Sequence, residues 1–345
     1  MPMNTLRIFR PLTFFICSLV AQSALNAQDT TFLQRRPADV PAALKSFVDE
    51  YVQNGDTVSI FEDSGSLYLE HGYEPPRRIR TSRLNEFRIE GVEGRDSTVV
   101  FEALNAEEWL RFAGVRFRKL GYGFLQSFRI SPLRPVAELE SLALRSHPPI
   151  EQGDFHAADL VDVAKLDSSI HLEVRYATTN NFLGVPVYRS ARAYLQKPAA
   201  EALVRAHRWL ARYGFGLLIH DAYRPWYVTK IFWDATPDDK KIFVADPAKG
   251  SRHNRGCAVD LTLYELATGR PVEMPSGYDE FSPRAYPSYA GGTSLRRWHR
   301  ALLQRAMERE RFHVYEWEWW HFDFEGWERY PIINVTFDKI PKDAD

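Results

Sequence analysis

The pattern of apolar and polar positions changes character partway along the chain. From Asp56 to about Arg118 it is short and alternating: 57–61, 66–70, 85–89, 98–101 and 114–118 are runs separated by Gly, Asp, Asn and Pro. Period-two runs bounded by turn residues predict strands, and this succession predicts a small antiparallel module with solvated outer faces. Ahead of it, Leu44, Phe47, Val48 and Tyr51 recur at helical spacing, so 41–51 reads as a short helix.

A stretch rich in Pro follows, with Pro132, Pro135, Pro148 and Pro149, and reads as a linker over 132–153. Beyond it the periods are mixed. Residues 170–176 are a strand candidate. Residues 197–213 read as a helix burying Leu203, Ala206, His207 and Leu210, with Gly214 as its stop. An apolar strand, 215–220, leads to Pro225, which suits a helix's first turn. A strand at 259–264, a helix at 294–309 and two aromatic strands within 312–324 complete the pattern. Helices and strands mix without strict βαβ alternation. The expected class is α+β, a mixed helix and antiparallel-sheet domain over 154–345, preceded by a mainly β accessory module over 28–131. A fragment beginning near Asp154 is expected to fold alone.

The first residues change the picture of where the protein works. Arg7 and Arg10 precede an apolar run from Leu12 to Val20, and small residues continue to Ala27. That is the layout of a signal peptide over 1–27, so a periplasmic or secreted protein without a stable membrane span is expected. Cys17 lies inside it, which leaves Cys257 as the mature chain's one cysteine, and no internal disulfide can form. The 345 residues carry a net charge of −1, which gives no reason to expect a nucleic-acid partner.

The chemistry concentrates in two stretches. Ser251-Arg252-His253-Asn254-Arg255-Gly256-Cys257-Ala258-Val259-Asp260 sets a His and an Asp seven residues apart, and Glu318-Trp319-Trp320-His321 adds a His with a Glu three before it. Two His and one Asp with a fourth position open is the pattern of a catalytic zinc site, and Glu318 would carry protons beside it. Cys257 competes for the third ligand position, although a small packed residue beside Gly256 is the plainer reading. Aromatic neighbours make the Glu318–His321 stretch a strand, where the pair would face opposite sides, so the backbone must bend or bulge between them. Arg224, after a buried strand, could stabilise an oxyanion or simply pair with Asp221.

Together, Ser-x-His-x-x-Gly-x-Ala-x-Asp and Glu-x-Trp-His resemble the zinc D-alanyl-D-alanine dipeptidases of the VanX type. The resemblance runs from about Val174 to about Phe324 and includes 174–178, 221–225 and 274–279. It implies one Zn²⁺ per chain on His253, Asp260 and His321, with Glu318 as general base. It further implies that Arg224 stabilises the tetrahedral intermediate and that Ser251, Tyr176 and Asp279 contact substrate, Asp279 taking the free ammonium of a D-Ala-D-Ala-type dipeptide. Three positions depart from the usual pattern: Pro275 stands where a Gly is common, Tyr278 where a Phe is common and Cys257 where a Ser is common. The alternatives are a D,D- or L,D-carboxypeptidase trimming longer wall peptides and a zinc-binding protein without catalysis. The β module is a candidate for holding wall polymer or a partner.

Overall fold

The computed structural model describes residues 31–340 apart from 33–34, 95–96 and 122–127. The segment read as a signal peptide, with Cys17, lies outside the described residues. Among those described, no helix is long and apolar enough to cross a membrane.

The alternating region is a closed antiparallel barrel. After a one-turn helix, α1 (Ala42–Lys45), its strands are β1 (Asp49–Gln53), β2 (Asp56–Asp63), β3 (Ser66–His71), β4 (Arg77–Arg83), β5 (Glu86–Ile89), β6 (Thr98–Leu104), β7 (Glu107–Phe112) and β8 (Val115–Lys119). Alternate side chains point inward, as β2 shows: Val58, Ile60 and Glu62 are buried and their neighbours are not. The interior holds Tyr51, Val58, Ile60, Leu67, Leu69, Ile79, Phe87, Val99, Leu110 and Phe117. Burying each large apolar side chain stabilises by about 1.5–3 kcal/mol.

The helix expected over 41–51 is a correction. It stops at Lys45, and β1 begins at Asp49. Tyr51 pairs with both Val58 of β2 and Lys119 of β8, so strand pairing on both sides closes the barrel. One helical turn satisfies few backbone groups and is marginal in water, whereas the barrel leaves no open edge.

The linker reading is also revised. Within it, α2 (Val136–Ala143) starts behind Pro135 and buries Leu139 and Ala143. The remaining elements are β9 (Leu160–Asp162), α3 (Val163–Leu166), β10 (His171–Leu172), β11 (Tyr194–Gln196), α4 (Lys197–Ala211), β12 (Phe215–Asp221), α5 (Trp226–Ala235), β13 (Ala258–Glu265), α6 (Ser294–Glu308), β14 (Phe312–Tyr315) and β15 (Glu318–Phe324). The α2 helix packs on α5.

A five-stranded sheet runs β10-β12-β13-β15-β14, antiparallel except for the β10–β12 pair. The strand expected over 170–176 is cut to two residues, and a 3₁₀ turn at Arg175–Ala177 turns Tyr176 into the core. Helices α4 and α6 pack on the sheet and on each other. The class is therefore mixed helices and antiparallel sheet behind a β-barrel module.

Candidate active site

Asp260 and His321 are register partners on the adjacent strands β13 and β15. His253 reaches them from a 3₁₀ turn, Arg252–Arg255, just before β13. Ser251 caps that turn: its Oγ accepts from the His253 amide at 3.3 Å. Gly256 ends it at φ +69°, and a Cβ there would meet Leu160 at 2.5 Å, so the motif's Gly answers to both conformation and space.

The ligand atoms converge. His253 Nε2 lies 3.3 Å from Asp260 Oδ1, His321 Nδ1 lies 3.0 Å from the same oxygen, and the two nitrogens are 3.1 Å apart. The far nitrogen of each ring is committed. His253 Nδ1 donates to the Ala222 carbonyl at 2.7 Å, and His321 Nε2 donates to Asp323 Oδ1 at 3.0 Å. Both rings therefore turn lone pairs towards one point, as metal-ligating imidazoles do. Asp260 Oδ1 is buried and, despite its short distances, has no partner of hydrogen-bond geometry. Two facing lone pairs and an orphaned carboxylate oxygen are mutually repulsive until a cation sits among them. The residues fit a divalent metal with borderline-soft ligand demand.

Electrostatics agree. Burial opposes the His321 charge, but Asp323 and Asp260 outweigh it and hold the ring up at about 10. Burial alone would raise the Asp260 carboxyl; the two imidazoles reverse this and hold it well below the usual carboxylate range. The site binds positive charge, whether as a proton or as a metal.

Glu318 reaches the same point. Its Oε2 is 3.8 Å from His321 Nδ1. The expected irregularity is present: β14 pairs Val314 with Phe322 but Tyr315 with Glu318, so three residues of β15 bulge between them. Burial pushes the Glu318 carboxyl up to about 7, with His321 pulling the other way.

Arg224 makes the pairing with Asp221. Its Nε and Nη2 donate to Asp221 Oδ2 at 2.9 and 2.7 Å, and its Nη2 also lies 3.9 Å from Asp260 Oδ2. The Asp221 clamp, with Tyr176 and Phe232 against the guanidinium, fixes Arg224 at the pocket wall.

Asp279 also lines the pocket, 7% exposed, and accepts from the Tyr176 hydroxyl at 2.9 Å. Its φ of +56° is uncommon outside glycine, although Asp tolerates it better than most residues. Burial, then the nearby Asp260, pushes its carboxyl well above the usual range, which an incoming cation would reverse. The pocket, about 370 Å³, is lined by Tyr176, Arg224, Ser251, His253, Asp260, Asp279, Glu318 and His321, with Phe281, Tyr315, Trp317 and Trp327 as aromatic walls.

The three expected ligands, Glu318, Arg224, Ser251, Tyr176 and Asp279 thus line one pocket. Cys257 does not: it is fully buried, its thiol pushed up to about 12 by burial, and its Sγ faces the Arg255 carbonyl. Sequence reasoning missed Asp323 and the Tyr278 hydroxyl. For Asp323 a signal existed, since positions i and i+2 of a strand share a face with His321.

Comparison with known proteins agrees with this geometry. The profile of the D-ala-D-ala dipeptidase family matches residues 156–340. A D-alanyl-D-alanine dipeptidase of Escherichia coli (strain K12) is 34% identical over 179 residues, 52% of this chain and 91% of its own length. One from Enterococcus faecalis is 35% identical over 193 residues, 50% of this chain and 95% of its own. One from Streptomyces coelicolor is 33% identical over 188 residues, 49% and 91%. With a buried His-Asp-His cluster, an adjacent carboxyl and a matched span of more than half its length, the chain belongs to the D-ala-D-ala dipeptidase family of metallopeptidases.

Proposed function

We propose that this chain is a zinc-dependent dipeptidase that hydrolyses D-Ala-D-Ala or a related D,D-dipeptide after export to the periplasm. His253 Nε2, Asp260 Oδ1 and His321 Nδ1 would hold the ion. Zinc bound there supplies Lewis acidity, polarising a carbonyl and acidifying water. The chain's own groups do the rest. Glu318 takes a proton from the attacking water and passes it to the leaving amine, and burial, which raises its carboxyl, makes it a better base than an exposed glutamate. Arg224, immobilised by Asp221, offers fixed positive charge where the carbonyl oxygen becomes anionic. Asp279, held by the Tyr176 hydroxyl, receives the substrate ammonium.

The observation that carries the dipeptide over longer wall peptides is a buried carboxyl in the pocket lining: Asp279 is suited to pair with a free amine, and a preceding residue would remove that amine. Product analysis on D-Ala-D-Ala and on a pentapeptide ending in it tests this. Rapid cleavage of the dipeptide alone is expected; preference for the pentapeptide would favour the carboxypeptidase alternative. Export rests on the Arg-flanked apolar run before Ala27. Intact mass of protein from the periplasm should lack roughly two dozen N-terminal residues.

A further inference from the structure

The segment that carries Asp279 is braced from outside the family domain. Next to Asp279, Glu280 folds back on its own loop: its Oε2 accepts from the Gly277 amide at 3.3 Å, and its Oε1 from Ser282 Oγ at 2.6 Å and Arg284 Nε at 2.6 Å. The Arg284 guanidinium then continues into the barrel. Nη1 lies 3.2 Å from Asp49 Oδ1 on β1, and Nη2 donates to the Gly121 carbonyl, two residues past β8, at 2.9 Å. Since β1 and β8 pair to close the barrel, Arg284 spans the closing seam. Arg284, Asp49 and Glu280 are all buried, at 5%, 1% and 8% exposure.

Two further ties flank the loop. On its N-terminal side, Glu273 Oε2 meets Lys45 at 2.7 Å and Arg296 at 3.1 Å. On its C-terminal side, Glu62 exchanges bonds with the backbone of Gly292 and Ser294, and Arg297 donates to the Glu62 carbonyl at 2.9 Å. The family match begins at residue 156, after the barrel, so these contacts belong to what this chain adds.

We infer that the barrel is a positioning module for substrate recognition, and that Arg284 is the residue through which its closing seam fixes the Asp279 loop. A planar fork with donors on three sides can bridge Glu280, Asp49 and Gly121 at once; a lysine's single ammonium cannot. Asp279, held in a left-handed conformation, depends on its surroundings to stay there. The inference rests on Asp279 as the ammonium anchor.

The test uses the full chain with Arg284→Lys, and with Asp49→Ala as a milder variant that leaves the Glu280 and Gly121 contacts in place should the first fail to fold. Two readouts are taken. Hydrogen exchange at the Gly277–Glu280 amides should quicken in both variants while β15 stays protected. In D-Ala-D-Ala cleavage, KM should rise about tenfold with kcat within about twofold and zinc content unchanged. Unchanged exchange overturns the inference, as does faster exchange with KM unchanged, or a fall in kcat at constant KM. A parent that leaves D-Ala-D-Ala uncut while the variants still loosen the loop refutes the proposed substrate and upholds the brace.

Discussion

Tyr278 donates its hydroxyl to Asp260 Oδ2 at 2.9 Å, leaving Oδ1 as the oxygen that faces the two imidazoles. Ligand orientation by a hydrogen-bonded neighbour sharpens metal affinity. Tyr278→Phe should therefore keep the fold yet lose about 10–100-fold in zinc affinity, read by chelator competition. Equal affinity would show that packing alone orients Asp260.

The ligand set separates cleanly from its rival. His253→Ala should leave the purified protein without stoichiometric zinc, and Cys257→Ser should retain about one ion per chain. Metal analysis decides; loss of zinc from the Cys257 variant would restore the thiol as a ligand.

Glu318, 3.8 Å from His321 Nδ1, is proposed as the base and not as a ligand. Glu318→Gln should hold zinc and bind substrate while kcat falls by about 10²–10⁴-fold, the scale of a positioned proton carrier. Retained turnover would move the base elsewhere.

Asp279→Asn should raise KM for D-Ala-D-Ala more than it lowers kcat, because a uniform binding contact is removed. N-acetylated D-Ala-D-Ala should be a poor substrate of the parent, lacking the ammonium. Efficient cleavage of the acetylated peptide contradicts the anchor.

His220 gives a pH signature. Burial, then Arg175, keeps its ring neutral down to about 3; the Glu173 backbone and Asp260 oppose this, and the Tyr278 ring covers one face. The folded value lies below the ordinary 6.5, so unfolded chains take up a proton that the native state refuses. Stability from this group is present above pH 6.5 and is lost as pH falls. Between pH 7 and 4.5 the parent should lose about 3 kcal/mol more than His220→Gln in urea unfolding. Parallel losses would mean that the native state admits the proton.

Much of the site was legible because its residues lie in short motifs whose local spacing sets their geometry. The bulge between Glu318 and His321 followed from chemistry alone: both had to reach one point from one strand. What escaped was long-range. Tyr278 lies 18 residues from Asp260 in sequence, and no local pattern joins them. In the barrel, β4 and β7 were missed because Arg77–Arg83 and Glu107–Phe112 are crowded with charge and each buries one side chain. The α2 helix was hidden by prolines on both sides. The expectation that a fragment from Asp154 folds alone did not reckon with Arg284, which in such a fragment would lose Asp49 and Gly121.

The burial of Cys257 has a practical consequence. A thiolate reacts with alkylating reagents and a thiol does not, and this thiol is both inaccessible and held near 12. It sits between the two metal-ligand segments, with Phe324 of β15 donating to its carbonyl. It should be labelled only when β13 and β15 part, so in a chain lacking residues 1–27, and with them Cys17, its labelling rate is a native clock for opening of the sheet, with no probe to introduce.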